Sequence, residues 1–264
     1  MNPQYFSRSP EQFGGKIPFV VSDLIEKLRE LDAANVEGIF RLSGSARDIS
    51  DLANMLDHGR VKDWSNFSNV HTISCTLKKY FRDMVTYDAL LPYEYFQTAI
   101  DIPNKSANDD EAAAKFKELM NKLTPARRNT FAVLIKYLFE VSQSPTSKMH
   151  PQNLAIVFAP NLLTKQPGKI DPEEALLFNA QQNKAIATMI RLYEKIFDDI
   201  NIGPELFVTD EDLEILASPP INARDLPRII ELRNLRKESL IPFVPGEMLA
   251  DPAFVRPTRV VAVE

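Results

Sequence analysis

The chain has 264 residues, of which 44% are hydrophobic and 25% charged, with a formal net charge of −5. That is the balance of a soluble globular protein with one large domain, or one domain with an appendage. The acidic balance argues against a general nucleic-acid binder, which carries a basic surplus, and a single cysteine, Cys75, rules out an internal disulfide framework and fits a reducing compartment.

The N-terminal MNPQYFSRSPEQFGG holds no apolar stretch of signal-peptide length. No run of about 18 apolar residues occurs, so no transmembrane segment is expected and the sequence reads as cytoplasmic. Pro18 stands where a helix can start, and Val20, Val21, Leu24, Ile25, Leu28 and Leu31 follow at helical spacing. Ser45 and Asp48 form a capping-box pattern ahead of Ile49, Leu52, Ala53 and Leu56. Val70, Ile73, Leu77, Tyr80, Phe81 and Met84 make a third apolar face. IPNKSANDDEA (102–112) reads as a polar loop leading into another helix. Thr124 and Pro125 supply an N-cap and a first turn for a helix through Phe131, Leu134, Ile135, Leu138 and Val141. This helix is apolar over much of its girth, so it is expected to be the most buried. A last long helix starts at Asp171-Pro172 and carries the stripe Ile186, Ile190, Tyr193 and Phe197. With 8 glycines in the chain and no series of alternating strands, the fold class is all-α: a single multi-helix domain built around a helical bundle.

The composition shifts near residues 201–204. Residues 1–200 hold 24 Lys/Arg and 25 Asp/Glu, whereas residues 201–264 hold 7 and 11 and contain 8 of the 19 prolines. Residues 1–200 are therefore read as the helical domain. Residues 201–264 form a Pro-rich extension of unknown role, either packed on the domain or a linker. Within it, Thr209 to Asp212 is a capping-box pattern, residues 228–240 suit a short helix, and FVRPTRVVAVE suits a strand or an extended arm.

Three stretches carry unusual chemistry. EGIFRLSGSARD (37–48) places Arg41 directly after the apolar Ile39-Phe40, between Gly38 and Gly44. A guanidinium stays charged and is rarely buried without a partner, so Arg41 either makes a local salt bridge or is held out for another molecule. HTISCTLKKYFRDM (71–84) sets Lys78 and Arg82 four apart on one helix face, with Asp83 as a local counter-charge. SKMHPQNLAIVFAPNLL (147–163) brackets an apolar run with Asn153 and Asn161, where Asn161 suits either a helix-end cap or an outward contact. Enzymatic patterns are missing. His58, His71 and His150 lack metal-ligand spacing, Cys75 lies in an apolar helix, and neither a phosphate-binding glycine loop nor a GxSxG nucleophile turn occurs. No cofactor and no metal site are expected.

GIFRLSGS (38–45), HTISCTLKKYFRDM (71–84) and NLAIVFAPNLL (153–163) resemble, in this order, the three signature blocks of RhoGAP domains, the activators of Rho-family small GTPases. The likeness extends through residues 13–200, including IPFVVSDLIEKL, LLPYEYF and IRLYEKIF. The resemblance implies a module whose partner is a GTP-bound Rho-family GTPase, acting in signal transduction and cytoskeleton regulation; its oligomeric state is left open, with a monomer favoured. It is not an enzyme with its own substrate site. Carried over by residue, Arg41 falls on the arginine finger that is supplied in trans. Lys78 and Arg82 fall on the two basic helix positions, which either hold the finger loop or pair with acidic switch residues. Asn161 falls on the asparagine that reaches the GTPase, Asn153 on a recurrent asparagine of less defined role, and Gly38 and Gly44 on the loop glycines. The segment after the basic helix lacks the family's usual Pro-x-Pro and is longer, Ala159 stands where glycine is common, and Ser147 where asparagine is common. The alternative within this resemblance is a catalytically silent GTPase-binding adaptor.

Overall fold

The computed structural model describes residues 5–6, 8–85, 88–165 and 172–217, with the side chains of 177–216 in the last stretch. Residues 228–240 and the C-terminal FVRPTRVVAVE lie outside the described residues. The fold is all-α. Among the described residues ten α-helices follow in order: α1 Phe19–Glu30, α2 Ala46–His58, α3 Val70–Met84, α4 Phe96–Lys105, α5 Asp109–Met120, α6 Pro125–Gln143, α7 Pro151–Leu162, α8 Pro172–Arg191, α9 Tyr193–Ile196 and α10 Asp210–Ala217.

Local chemistry sets most of the boundaries. Ser45 accepts a hydrogen bond from the Asp48 N–H at the start of α2, Asn69 caps α3 through the His71 and Thr72 N–H groups, and Thr124 caps α6. Pro18, Pro125 and Pro151 stand at or beside helix starts, where their missing N–H has no intrahelical role. Two boundaries differ from the sequence pattern. The stretch read as a loop from residue 102 continues α4 through Pro103 to Lys105. Pro103 lies in the last turn and forfeits a single donor, and the Ser106 N–H and hydroxyl both bond the Ile102 carbonyl to close the end. The final long helix divides at Leu192, which turns Tyr193 onto Phe139 of α6 with ring centroids 5.8 Å apart.

Helix α6 is the centre of the bundle. It packs against α1, α7, α8 and α9, and Phe131, Leu134, Ile135, Tyr137, Leu138 and Val141 are all buried. Helix α3 lies against α1, α2 and α7, while α4 and α5 pack with α8 and α9 on the other side. Among the described residues no helix is long and apolar enough to cross a membrane.

The N-terminal segment and residues beyond 203 meet on the outside of α1. Tyr5, Phe13 and Phe19 form an aromatic cluster. An isolated parallel bridge joins Ile17 to Phe207, with the Ile17 N–H 2.8 Å from the Leu206 carbonyl. Lys16 pairs with Asp212 at 2.8 Å, and Arg60 binds Asp23, the Val208 carbonyl and Asp210. Thr209 and Asp212 cap α10 reciprocally, each accepting the other's backbone N–H. Residues 204–216 are thus built into the surface of the helical domain.

A second tie gathers three distant segments. Arg127, buried at the start of α6, bonds Glu11 at 2.6 Å and Asp88 at 2.5 Å, and donates to the Ala89 and Leu90 carbonyls. Glu11 also accepts from the Thr124 hydroxyl at 2.6 Å. The 88–90 stretch is fixed here by a guanidinium. Burial pushes the Glu11 carboxyl up, but the charge and hydrogen bond of Arg127, with that of Thr124, outweigh it and hold the group below the usual range. A carboxyl lowered on folding adds stability above its unfolded value of about 4.3, and that stability is lost as pH falls through the folded value. Glu11→Gln is therefore expected to lower unfolding free energy by roughly 1–3 kcal/mol at neutral pH. Below about pH 4.3 its loss of stability should be shallower than that of the native chain. Thermal melts across pH would check both, and parallel curves for the two proteins would contradict the assignment.

Candidate functional site

The site is built around the connection from α1 to α2. Ile39 and Phe40 are both completely buried, while Arg41, Leu42 and Ser43 are exposed. The switch from inside to outside within one residue is made by the backbone. Phe40 sits at φ +67°, a left-handed conformation that is uncommon for a bulky residue. Its ring is wedged edge-on between Phe158 of α7, at 4.9 Å, and Tyr137 of α6, at 6.1 Å. Burial of the ring and rigid neighbours hold the strained conformation in place.

The loop is fastened on several further sides. The Arg41 and Leu42 N–H groups both donate to the Gly38 carbonyl at 2.9 Å, closing a tight turn. Gly38 adopts φ +71°, and a methyl group there would stand 2.9 Å from Leu42 Cγ and 3.2 Å from Arg41 Nη2. Gly44 has no positive φ; its constraint is proximity. A methyl group at Gly44 would come within 2.5 Å of the Thr72 nitrogen and 2.6 Å of the Thr72 hydroxyl. The loop therefore lies directly on the first turn of α3.

Helix α3 supports the loop from behind. Lys78 Nζ donates to the Phe40 carbonyl at 2.5 Å, reaching the backbone immediately before Arg41. The Cys75 thiol donates to the Leu42 carbonyl at 3.7 Å. Both carbonyls are left pointing inward by the left-handed turn at Phe40, and a cation and a thiol one helical turn apart receive them. Arg82 lies one turn further on. Its side chain is 65% exposed, with Asp83 at 3.6 Å, while Asp83 pairs more closely with Lys79.

The two asparagines occupy opposite ends of α7. Asn161 Nδ2 donates to the Val157 carbonyl at 3.2 Å, in the turn that Pro160 interrupts. Asn153 is exposed, and its Nδ2 donates to the Lys148 carbonyl at 3.2 Å. Between them Ile156 is 60% exposed, a large apolar side chain left on the outer face of the helix. Arg41, Lys78 and Gly44 are thus joined through one loop and one helix, whereas Arg82, Asn153 and Asn161 bond only within their own surroundings.

Some contributors are not legible in the sequence. Ser147 is buried, its hydroxyl bonding the Val141 and Ser144 carbonyls, and its own carbonyl accepts the Gly38 N–H at 2.8 Å. Lys148, at φ +54°, reaches Glu37 at 2.7 Å. Tyr137 has its hydroxyl buried without a hydrogen-bond partner, and burial pushes that hydroxyl up. Arg29 lies over the same ring at 5.4 Å while forking onto Glu140. No spacing rule links residues 40, 78, 137 and 147, because the contacts are made between elements. Among the described residues, no group of His, Cys, Asp and Glu could hold a metal ion.

Comparison with known proteins agrees with this architecture. Residues 18–167 match the model of the RhoGAP domain, and the chain belongs to the RhoGAP domain family. It is 30% identical over 204 residues to the Dictyostelium discoideum Rho GTPase-activating protein gacHH, covering 75% of this chain and 13% of that protein. It is 33% identical over 199 residues to the Drosophila melanogaster GTPase-activating protein CdGAPr, covering 72% of this chain and 10% of that protein. The chain thus spans only a small part of these curated relatives. The crystal structure of human Rho GTPase activating protein 15 superposes with a TM-score of 0.62 at 26% identity, covering 69% of this chain and 84% of that one.

Gly44→Ala tests the close approach of the loop to α3. Because the added methyl overlaps backbone atoms, the variant is expected to lose roughly 1–3 kcal/mol of stability, an overpacking cost. A melting temperature equal to the native value would mean that the contact is not tight.

Proposed function

We propose that this chain accelerates GTP hydrolysis on a Rho-family small GTPase by supplying Arg41 in trans. The observation that carries the reading is the mounting of Arg41: an exposed guanidinium on a loop whose preceding residue is buried, strained and bonded from behind by Lys78. The names of the relatives, several of them Rho GTPase-activating proteins, support the same reading.

The chemistry follows from the charge that develops during phosphoryl transfer. That charge spreads over the transferring oxygens, and catalysis consists mostly of positioning and electrostatic stabilisation. Arginine suits the role because it is always charged, planar and able to donate two bonds in a fixed fork. Preorganisation matters because the guanidinium then reaches the transition state with little of its freedom left to lose. The chain supplies no substrate or cofactor site of its own; it completes the active site of its partner. A switch-loop change after hydrolysis weakens the complex and allows turnover.

Within this reading Lys78 is a positioning residue for the finger loop, since its ammonium is already engaged by the Phe40 carbonyl. Arg82, largely exposed, and Asn161, half-exposed at the end of α7, are the residues this reading assigns to partner contact. Asn153 holds the Lys148 turn.

The test is single-turnover phosphate release from a panel of GTP-loaded Rho-family GTPases. The native chain should accelerate at least one member, and Arg41→Ala should reduce the maximal rate by about 10³–10⁵-fold, roughly 4–7 kcal/mol of transition-state stabilisation. Binding without acceleration would make the chain an adaptor and overturn the proposal. Lys78→Met should lower the maximal rate while leaving the half-saturating GTPase concentration nearly unchanged. A rise in that concentration at an unaltered maximal rate would instead assign Lys78 to partner contact.

A further inference from the structure

The resting position of Arg41 carries an inference that builds on the proposed activity. Its side chain is exposed, yet the guanidinium stays close to its own backbone. It folds back over its own loop, with Nη2 only 3.2 Å from the place a methyl group on Gly38 would occupy. The adjoining residue is Glu37, an exposed carboxylate. That carboxylate is engaged by a different cation, with Lys148 Nζ at 2.7 Å. Lys148 is held to this task by its turn. It sits at φ +54°, its carbonyl accepts the Asn153 amide at 3.2 Å, and the neighbouring Ser147 carbonyl accepts the Gly38 N–H at 2.8 Å. Of the two cations on this side of the loop, Lys148 is the one that makes the ion pair with the carboxylate.

We propose that Glu37 is a competing seat for the arginine finger and that Lys148, set in place by Asn153, occupies it and so keeps the finger free. With Lys148 paired to Glu37, Arg41 lies over Gly38 with no ion pair among the described residues and stays available to a partner's phosphates. Without Lys148, the Glu37 carboxylate is left with Arg41 as its remaining cationic neighbour. The finger then has to break that attraction to reach the phosphates. Lys148 is thus a positioning residue that acts through Glu37 and does not touch the reacting atoms. The charge balance agrees: the Glu37 carboxyl is held below the ordinary range first by the Lys148 hydrogen bond and charge, and in smaller part by Arg41.

Both side chains are exposed, at 64% and 57%, so their replacement leaves the core intact. Four proteins decide the matter: native, Lys148→Ala, Glu37→Gln and the double variant, assayed in single turnover with saturating GTP-loaded GTPase. Lys148→Ala is expected to lower the maximal rate by about two- to five-fold, the range set by one exposed ion pair. Glu37→Gln should be at least as fast as native, and the double variant should return to the Glu37→Gln rate. The deficit of Lys148→Ala should shrink at about 1 M salt, where screening reaches within ~3 Å. A double variant as slow as Lys148→Ala, or a deficit confined to the half-saturating concentration, would show that Lys148 touches the GTPase directly and would overturn the proposal.

A second measurement needs no GTPase and separates failure of this inference from failure of the proposed activity. The Glu37 carboxyl, followed by carbon-13 NMR, should stay lowered in Lys148→Ala and move up toward the ordinary glutamate value only when Arg41→Ala is added. No response to Arg41→Ala on that background would remove the seat, whatever the rates. Loss of all acceleration in the native chain, with this titration behaving as expected, would overturn the activity and leave the seat standing.

Discussion

The site depends on Phe40 being buried in a conformation that bulky residues avoid. A left-handed turn at this position lets the consecutive Ile39 and Phe40 both enter the core and turns Arg41 out to solvent, whereas an extended backbone would send Ile39 and Phe40 to opposite faces. The strain is of the order of 1–3 kcal/mol. It is offset by a large aromatic ring enclosed by Phe158 and Tyr137, and by the Lys78 ammonium on the carbonyl that the turn leaves facing inward. Removing any of these supports leaves Arg41 chemically the same but less confined.

The helices around the loop are arranged to keep those supports rigid. Helix α6 contributes the buried Tyr137, α7 contributes Phe158, and α3 contributes Lys78, Cys75 and the close contact at Thr72. The loop is therefore a surface feature seated on three packed helices. Its mobility is tied to theirs, and dense interiors transmit displacement instead of absorbing it. The same logic explains the polar ties away from the site. Arg127 fastens the N-terminal segment and the 88–90 stretch to the start of α6, and Arg60 joins the end of α2 to α1 and the segment before α10. These ion pairs and hydrogen bonds add directional ties to segments that also bury apolar side chains such as Phe13, Leu90 and Val208.

Much of the fold was legible because helical periodicity and capping are local. The apolar stripes of α1, α2, α3 and α6 are written at spacings of three and four, and Pro18, Ser45 and Thr124 mark the starts of α1, α2 and α6. Where the pattern misled, a local rule met a tertiary preference. Pro103 was tolerated within α4, and an apparently continuous final helix divided at Leu192 so that Tyr193 could stack on Phe139. Gly44 was marked out as a turn glycine, yet what it provides is room against α3.

By itself the sequence determined the helical class, the family resemblance and the identity of the exposed arginine, because these rest on periodicity and on three ordered motifs. It left open whether Lys78 faced a partner or the loop, and gave no sign that Ser147, Lys148, Tyr137 and Cys75 belong to the same neighbourhood as residues 37–44. Only the tertiary structure decided those points. Each depends on the approach of side chains separated by 30 residues or more, such as Cys75 and Leu42 at a separation of 33. Those distances are set by how the helices pack, and no local spacing encodes them.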